Sequence, residues 1–69
     1  MSGKREITVD DIRPGVRVRI GCGTVFVMED VRDGMVRCHR EGGRMGSFRD
    51  PIDDAVAFLN EEDGEIIEQ

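Results

Sequence analysis

Apolar and polar side chains alternate strictly along residues 16–20, which read Val-Arg-Val-Arg-Ile. Successive side chains of a strand point to opposite faces of a sheet, so this pattern predicts a strand with one buried face. Arg17 and Arg19 are then expected together on the solvent face. The preceding Arg13-Pro14-Gly15 is typical of a turn, because proline fixes φ and glycine accepts a positive φ.

Three later segments also have strand patterns, and turn residues separate them. Residues 24–31 have apolar side chains on both faces around Val25-Phe26-Val27-Met28, which predicts a strand buried on both sides. The Asp33-Gly34 pair favours a two-residue hairpin turn. Residues 35–40 are therefore expected to return as a third strand, and a short fourth strand is predicted over residues 44–49.

The apolar spacing changes to a helical period after residue 50. Positions i, i+3, i+4 and i+7 form one apolar face, made of Ile52, Ala55, Val56 and Leu59. Asp50 is suited to cap a helix and Pro51 to occupy its first position, so we predict an α-helix over residues 51–60. Two alternatives stay open for residues 65–68: a closing strand, or a tail that docks its two isoleucines.

The composition agrees with a mainly β domain. The chain has eight valines and six isoleucines but one leucine, and nine glycines suit many tight turns. We predict a small SH3-like barrel of four to five antiparallel strands with one short C-terminal α-helix at about 51–60. An OB-type barrel is the second choice, since it usually needs a fifth full strand and a longer chain.

A chain of 69 residues is expected to form a single domain over residues 1–69. Residues 1–6 are expected to be frayed, residues 7–49 to form the barrel body, and residues 50–69 to form an acidic helix and tail. The sequence has no apolar run long enough for a membrane span. It also has no N-terminal signal segment, so a cytoplasmic protein is expected.

Several turn and core positions resemble the small bacterial YodC-like family and, more loosely, KOW and Tudor-like SH3 barrels. They are Pro14-Gly15, Val18, Ile20, Cys22-Gly23, Val27-Met28, Val36-Arg37-Cys38 and Phe48. The chain departs from the family pattern in the turn Cys22-Gly23-Thr24, where the family usually has Gly-Gly-Pro, at His39-Arg40 and in its acidic helix. The YodC-like resemblance implies no catalytic residue. The KOW and Tudor-like resemblance implies binding to nucleic acid or protein.

Charge is divided sharply between two parts of the chain. Residues 1–49 hold all ten basic residues and seven acids, a net charge of +3, whereas residues 50–69 hold eight acids and no base. Nine of the ten cations are arginines, whose planar fork fits a carboxylate or a phosphate. The overall charge of −5 therefore averages a mildly basic body and a strongly acidic end.

The arginines are the best candidates for a binding site. The predicted partner-binding residues form a stripe on the strands, made of Arg17, Arg19, Arg37, His39, Arg44 and Arg49. Such a stripe is suited to phosphates. Ordinary solvation, or pairing with the chain's own acidic segment, is the alternative interpretation.

No residue pattern predicts catalysis, a metal or a cofactor. Cys38 and His39 are neighbours on a predicted strand, so their side chains point apart and do not form a nucleophile–base pair. Metal-ligand spacings are absent, and the glycine-rich loops lead into strands rather than into a helix that would bind phosphate. Reduced thiols are expected, with Cys22 in a turn and Cys38 in the core.

The sequence therefore predicts a non-catalytic interaction module that binds a protein or nucleic-acid partner through an arginine-bearing barrel face. The alternative is an acidic inhibitor of the phage or mobile-element type, which mimics nucleic acid and binds a basic host protein. An enzyme is the weakest hypothesis, because it would need a pocket between subunits. An exposed strand edge leaves a homodimer open.

Overall fold

A computed structural model describes residues 5–44 and 46–69. Its five strands form one antiparallel sheet in the order β4-β3-β2-β1-β5. The strands are β1 (Arg17–Arg19), β2 (Val25–Arg32), β3 (Met35–Arg40), β4 (Phe48–Pro51) and β5 (Glu65–Glu68). Helix α1 (Ile52–Glu61) connects β4 to β5, and a 3-10 turn (Val9–Asp11) precedes β1. This architecture confirms a small, mainly β, barrel-like domain with one C-terminal helix.

The core lies between the inner face of the sheet and α1. Alternation along the strands supplies its centre, because Val18, Met28 and Val36 all point inward and are almost fully buried. Leu59 and Ala55 cover them from the helix, as the helical spacing predicts. The core is completed by Ile7, Ile12, Val16, Ile20 and Cys38.

The prediction that β2 is buried on both sides is wrong. Met28 faces the core, but Val25 and Val27 are only half-buried on the outer face of the sheet. A register shift between Met28 and Asp30 interrupts the alternation. This bulge adds one residue to β2, so that Val31 again packs against the core.

The bounds of β4 and the start of α1 differ from the prediction, because β4 spans Phe48–Pro51 rather than residues 44–49. Asp50 and Pro51 do not begin the helix but pair with β3, opposite Val36 and Met35. Pro51 is tolerated there because β4 is an edge strand. The helix starts at Ile52, whose N–H donates to the Gly34 carbonyl at 2.9 Å. Met45, within the predicted fourth strand, lies outside the described residues.

The C-terminal residues form a closing strand, which decides between the two alternatives for residues 65–68. β5 pairs antiparallel with β1, and Ile66 packs against the core while Ile67 is half-buried. At the other end of the chain, residues 1–4 of the segment expected to be frayed lie outside the described residues. Arg5 forms an ion pair with Asp11. Among the described residues, no helix is both long and apolar enough to cross a membrane.

Candidate functional site

The outer face of the sheet collects five of the six predicted partner-binding residues. Arg17 lies opposite Val27, which lies opposite His39, so these three side chains form one row across three strands. In a neighbouring row, Arg37 lies directly opposite Arg49. Arg19 is two positions along β1 from Arg17 and shares its face. The sixth residue, Arg44, is exposed in the loop between β3 and β4.

Arg17 is held by two carboxylates from different parts of the chain. Its Nε and Nη2 donate to the two oxygens of Glu41 at 3.0 and 2.8 Å. Its Nη1 donates to Oε1 of Glu68 at 2.7 Å. These hydrogen bonds raise the pKa of Arg17, with Glu41 the larger cause, and the same contact lowers the pKa of Glu41. All three nitrogens of the guanidinium therefore donate hydrogen bonds to carboxylates of its own chain.

Arg19 has a similar partner. Its Nη2 donates to Oε1 of Glu65 at 3.1 Å. Glu65 and Glu68 both belong to β5, so the acidic C-terminal segment neutralises both arginines of β1. This pairing is the alternative interpretation of the arginine stripe. It occupies N–H groups that an external phosphate would need.

Arg37 and Arg49 differ from the β1 arginines. Within residues 5–44 and 46–69, neither forms an ion pair, although they face each other across β3 and β4. They line a groove of about 210 Å³ together with Met35, Asp33, and the Asp30–Arg32 ion pair at 3.6 Å. Like charges directly opposite each other destabilise a sheet. Among the stripe residues on the sheet, this pair is consequently the part most available to an external anion.

His39 shares a carboxylate with Ser47. The imidazole Nδ1 and the serine hydroxyl both hydrogen-bond to Oε2 of Glu29, and these contacts, Ser47 first, lower the pKa of Glu29. The hydroxyl donates to the carboxylate and not to the imidazole. This arrangement orients both side chains on Glu29, but it does not activate the serine through the histidine.

The two cysteines lie where the sequence predicts. Cys22 is exposed in a turn, Cys38 is buried on the face of β3 opposite to His39, and both are free thiols. Burial raises the pKa of Cys38 to about 11. A hydrogen bond with Thr24 lowers the pKa of Cys22. Among the described residues, no three His, Cys, Asp or Glu side chains are grouped to hold a metal ion.

A second surface, which the sequence analysis did not identify, contains all three phenylalanines of the chain. Phe26 makes edge-to-face contacts with Phe48 on one side and Phe58 on the other, at ring-centroid distances of 6.2 and 5.9 Å. Phe48 and Phe58 are each 44% exposed. The helical spacing could have indicated this surface, because it places Phe58 outside the apolar face that packs on the sheet and therefore towards solvent.

The acids of the C-terminal segment lie on two different surfaces of the protein. Glu65 and Glu68 neutralise β1, as described above. On α1 and its C-cap, four exposed acids have no ion pair with any described residue: Asp53, Asp54, Glu61 and Glu62. Half of the acidic segment is therefore available to a partner.

Compared with known protein families, with curated proteins and with solved structures, this chain matches none of them.

Proposed function

We propose that this chain is a non-catalytic interaction module that binds a protein partner through the outer face of its sheet. The observation that carries the proposal is the Arg37–Arg49 pair. These two guanidinium groups face each other over a groove, and neither forms an ion pair with a described carboxylate; Arg37 has only a weaker electrostatic interaction with Glu29. A carboxylate from a partner would relieve their repulsion and accept hydrogen bonds from both.

The charges around this pair favour a protein over a nucleic acid. Asp30 and Asp33 line the same groove, and Glu29 lies on the same face beside His39. A nucleic-acid backbone carries phosphates at short, regular intervals, so several would approach these acids. A single side-chain carboxylate brings only one negative charge into the groove, so it is repelled less by these acids than a row of phosphates would be.

The proposal is tested by NMR titration of the labelled protein with two probes. One is a short synthetic peptide with an Asp-Glu pair, and the other is a DNA duplex. The variants Arg37→Gln and Arg49→Gln remove one cation each. Arg13→Gln is the matched control, because Arg13 is an exposed loop arginine that forms no ion pair with a described residue.

We expect the acidic peptide to shift the resonances of Arg37 and Arg49. Each variant at these two positions should weaken binding about tenfold, as is usual for one charged hydrogen-bonded contact. The Arg13 control should bind as the unchanged protein does. Preferential binding of the duplex would overturn the choice of a protein partner. Equal weakening in all three variants would overturn the site.

A second candidate function is an acidic antagonist of a basic host protein. The four acids on α1 and its C-cap that lack an ion pair within the described chain support it, since they leave a negative surface available for such a protein. The test is competition between this chain and a DNA duplex for a lysine-rich peptide. Neutralising these four acids should abolish competition with the duplex, whereas the double variant Glu65→Gln with Glu68→Gln should still compete. Equal effects of both sets would contradict this candidate.

A further inference from the structure

The three phenylalanines surround a small apolar cleft between α1 and the inner face of the sheet. Met28 and Cys38 form part of its lining, with Ala55 and Leu59 on the helix side. The volume of this open cleft is about 30 Å³, which admits little more than a methyl group. A partner side chain would therefore insert only its tip, and most of the contact would lie against the rings.

The exposed rings are an unusual use of the chain's few aromatic residues. A small domain gains most from burying large apolar side chains, yet Phe48 and Phe58 are each 44% exposed. They are not isolated, because both pack against Phe26 and bound one cleft. Contiguous exposed aromatic surface around a cleft is typical of an interaction site.

The rim of this cleft is acidic. Asp50 lines the cleft directly. On the helix, Asp54 is one turn before Phe58, and Glu61 is one turn after it, so both neighbour that ring along the helix surface. Arg40 is the cross-strand neighbour of Phe26 and adds one positive charge at the opposite end. An apolar centre with acids along one side selects a partner with an apolar anchor beside basic residues.

The same charges argue against other occupants. A second copy placed symmetrically on this cleft would bring two sets of helix acids together, and like charges across an interface disfavour association. Nucleic acid would meet the same repulsion. The cleft is also on the other face of the sheet from Arg37 and Arg49, so its role does not depend on the function proposed above.

We propose that this cleft is a docking site for a protein segment in which one aliphatic side chain is flanked by lysine or arginine. The aliphatic tip enters between Phe48 and Phe58. The flanking cations lie against the carboxylates of Asp50, Asp54 and Glu61.

The test uses synthetic peptides whose affinity for the full chain is measured by NMR titration. The first peptide has a central leucine with lysines on both sides. A second replaces the leucine by alanine, and a third replaces the lysines by glutamates. These peptides test the anchor and the charges separately without altering the protein.

Protein variants test the same two contributions. Phe58→Ala and Phe48→Ala remove the rings, and Val9→Ala is the matched control because Val9 is 46% exposed elsewhere. Asp54→Asn with Glu61→Gln neutralises the rim. Asp10→Asn with Glu6→Gln removes the same charge from exposed positions that precede the sheet.

We expect the leucine–lysine peptide to shift resonances of the cleft residues. Loss of the leucine, or of either ring, should weaken its affinity about tenfold, the effect usual for a buried anchor. Rim neutralisation should weaken it further, and the control variants should not. Equal affinity for the leucine and alanine peptides would overturn the proposal, because it would show binding by charge alone. Self-association abolished by Phe58→Ala would also overturn it, by identifying a second copy as the occupant.

Discussion

The side chain of Asn60 makes two hydrogen bonds with the backbone of Ile7. Its Oδ1 accepts from the Ile7 N–H at 3.0 Å, and its Nδ2 donates to the Ile7 carbonyl at 2.9 Å. These bonds join the end of α1 to the segment before β1, and Ile7 is one of the most deeply buried residues. Asn60 thus satisfies both backbone groups of a buried residue 53 positions away.

Asn60→Ala should destabilise the protein by about 3 kcal/mol, because it leaves a buried donor and a buried acceptor without partners. Urea unfolding followed by circular dichroism measures this change. Asn60→Asp should retain the bond from the Ile7 N–H but set a carboxylate oxygen against the Ile7 carbonyl, and should therefore also be less stable than the unchanged protein. The exposed neighbour Glu61→Ala is the control. If Asn60→Ala were as stable as that control, the two bonds would contribute nothing.

Gly64 is surrounded closely by the residues that connect α1 to β5. A Cβ atom at this position would lie 2.7 Å from the Leu59 carbonyl oxygen and 3.0 Å from Cδ1 of Ile7. Gly64→Ala should therefore destabilise the protein by about 1–3 kcal/mol, as other overpacked cores do. The measurement is the midpoint of thermal unfolding.

Gly46→Ala is the matched control for this substitution. A Cβ at Gly46 meets no atom within 4 Å, and its φ lies outside the left-handed region. We expect the control to be unchanged or slightly stabilised, since alanine restricts the unfolded chain. Equal unfolding temperatures for the two variants would contradict the packing argument.

Local sequence patterns predicted two kinds of element. The alternation of apolar and polar side chains predicted strands, and the helical spacing of apolar side chains predicted the helix. β3 spans the predicted residues 35–40, and the predicted helix differs from α1 by one residue at each end. The end of β4 could not be predicted in this way. Asp50 and Pro51 have low strand propensity, and they are extended because β3 offers them backbone partners.

The candidate site was predictable only in part, for a similar reason. Alternation placed Arg17 and Arg19 on one face, but their neutralisation depends on β5 pairing with β1. The aromatic cleft also depends on contacts between residues that are distant in the sequence. Phe26 and Phe58 belong to β2 and α1, and no local pattern indicates that the fold brings them together.

Asp11 should make the stability of the folded protein depend on pH in the acidic range. Arg5 donates to its two oxygens at 2.9 and 3.1 Å, and the Thr8 N–H donates at 2.9 Å. These contacts, Arg5 first, lower the pKa of Asp11 to about 2, below the value of about 3.9 for an unfolded chain. Because the folded pKa is depressed, the stabilisation is complete above pH ~5 and is lost as the pH falls from about 4 to 2.

Asp11→Asn tests this dependence when urea unfolding is repeated across the acidic range. The unchanged protein should be more stable than the variant near neutral pH, and the difference should shrink between about pH 4 and pH 2. Asp10→Asn is the control, because Asp10 is an exposed neighbour with no ion pair among the described residues. A difference that stays constant over the whole range would contradict the assigned role of Asp11.

Neutralising the two acids of β5 should release the arginines of β1. Glu65 and Glu68 are exposed, so Glu65→Gln with Glu68→Gln should leave the protein folded and change its stability by about 1 kcal/mol or less. Arg19 and one N–H group of Arg17 then become available to phosphates. We expect tighter retention on immobilised duplex DNA at low salt, and this gain should disappear as salt is raised.

Deleting residues 50–69 cannot replace this experiment, because it removes Leu59 and Ala55 from the core. Glu61→Gln with Glu62→Gln is the control, since it changes the net charge equally but leaves both β1 ion pairs intact. If the two double variants were retained equally, the gain would come from net charge alone, and β5 would not mask the arginines.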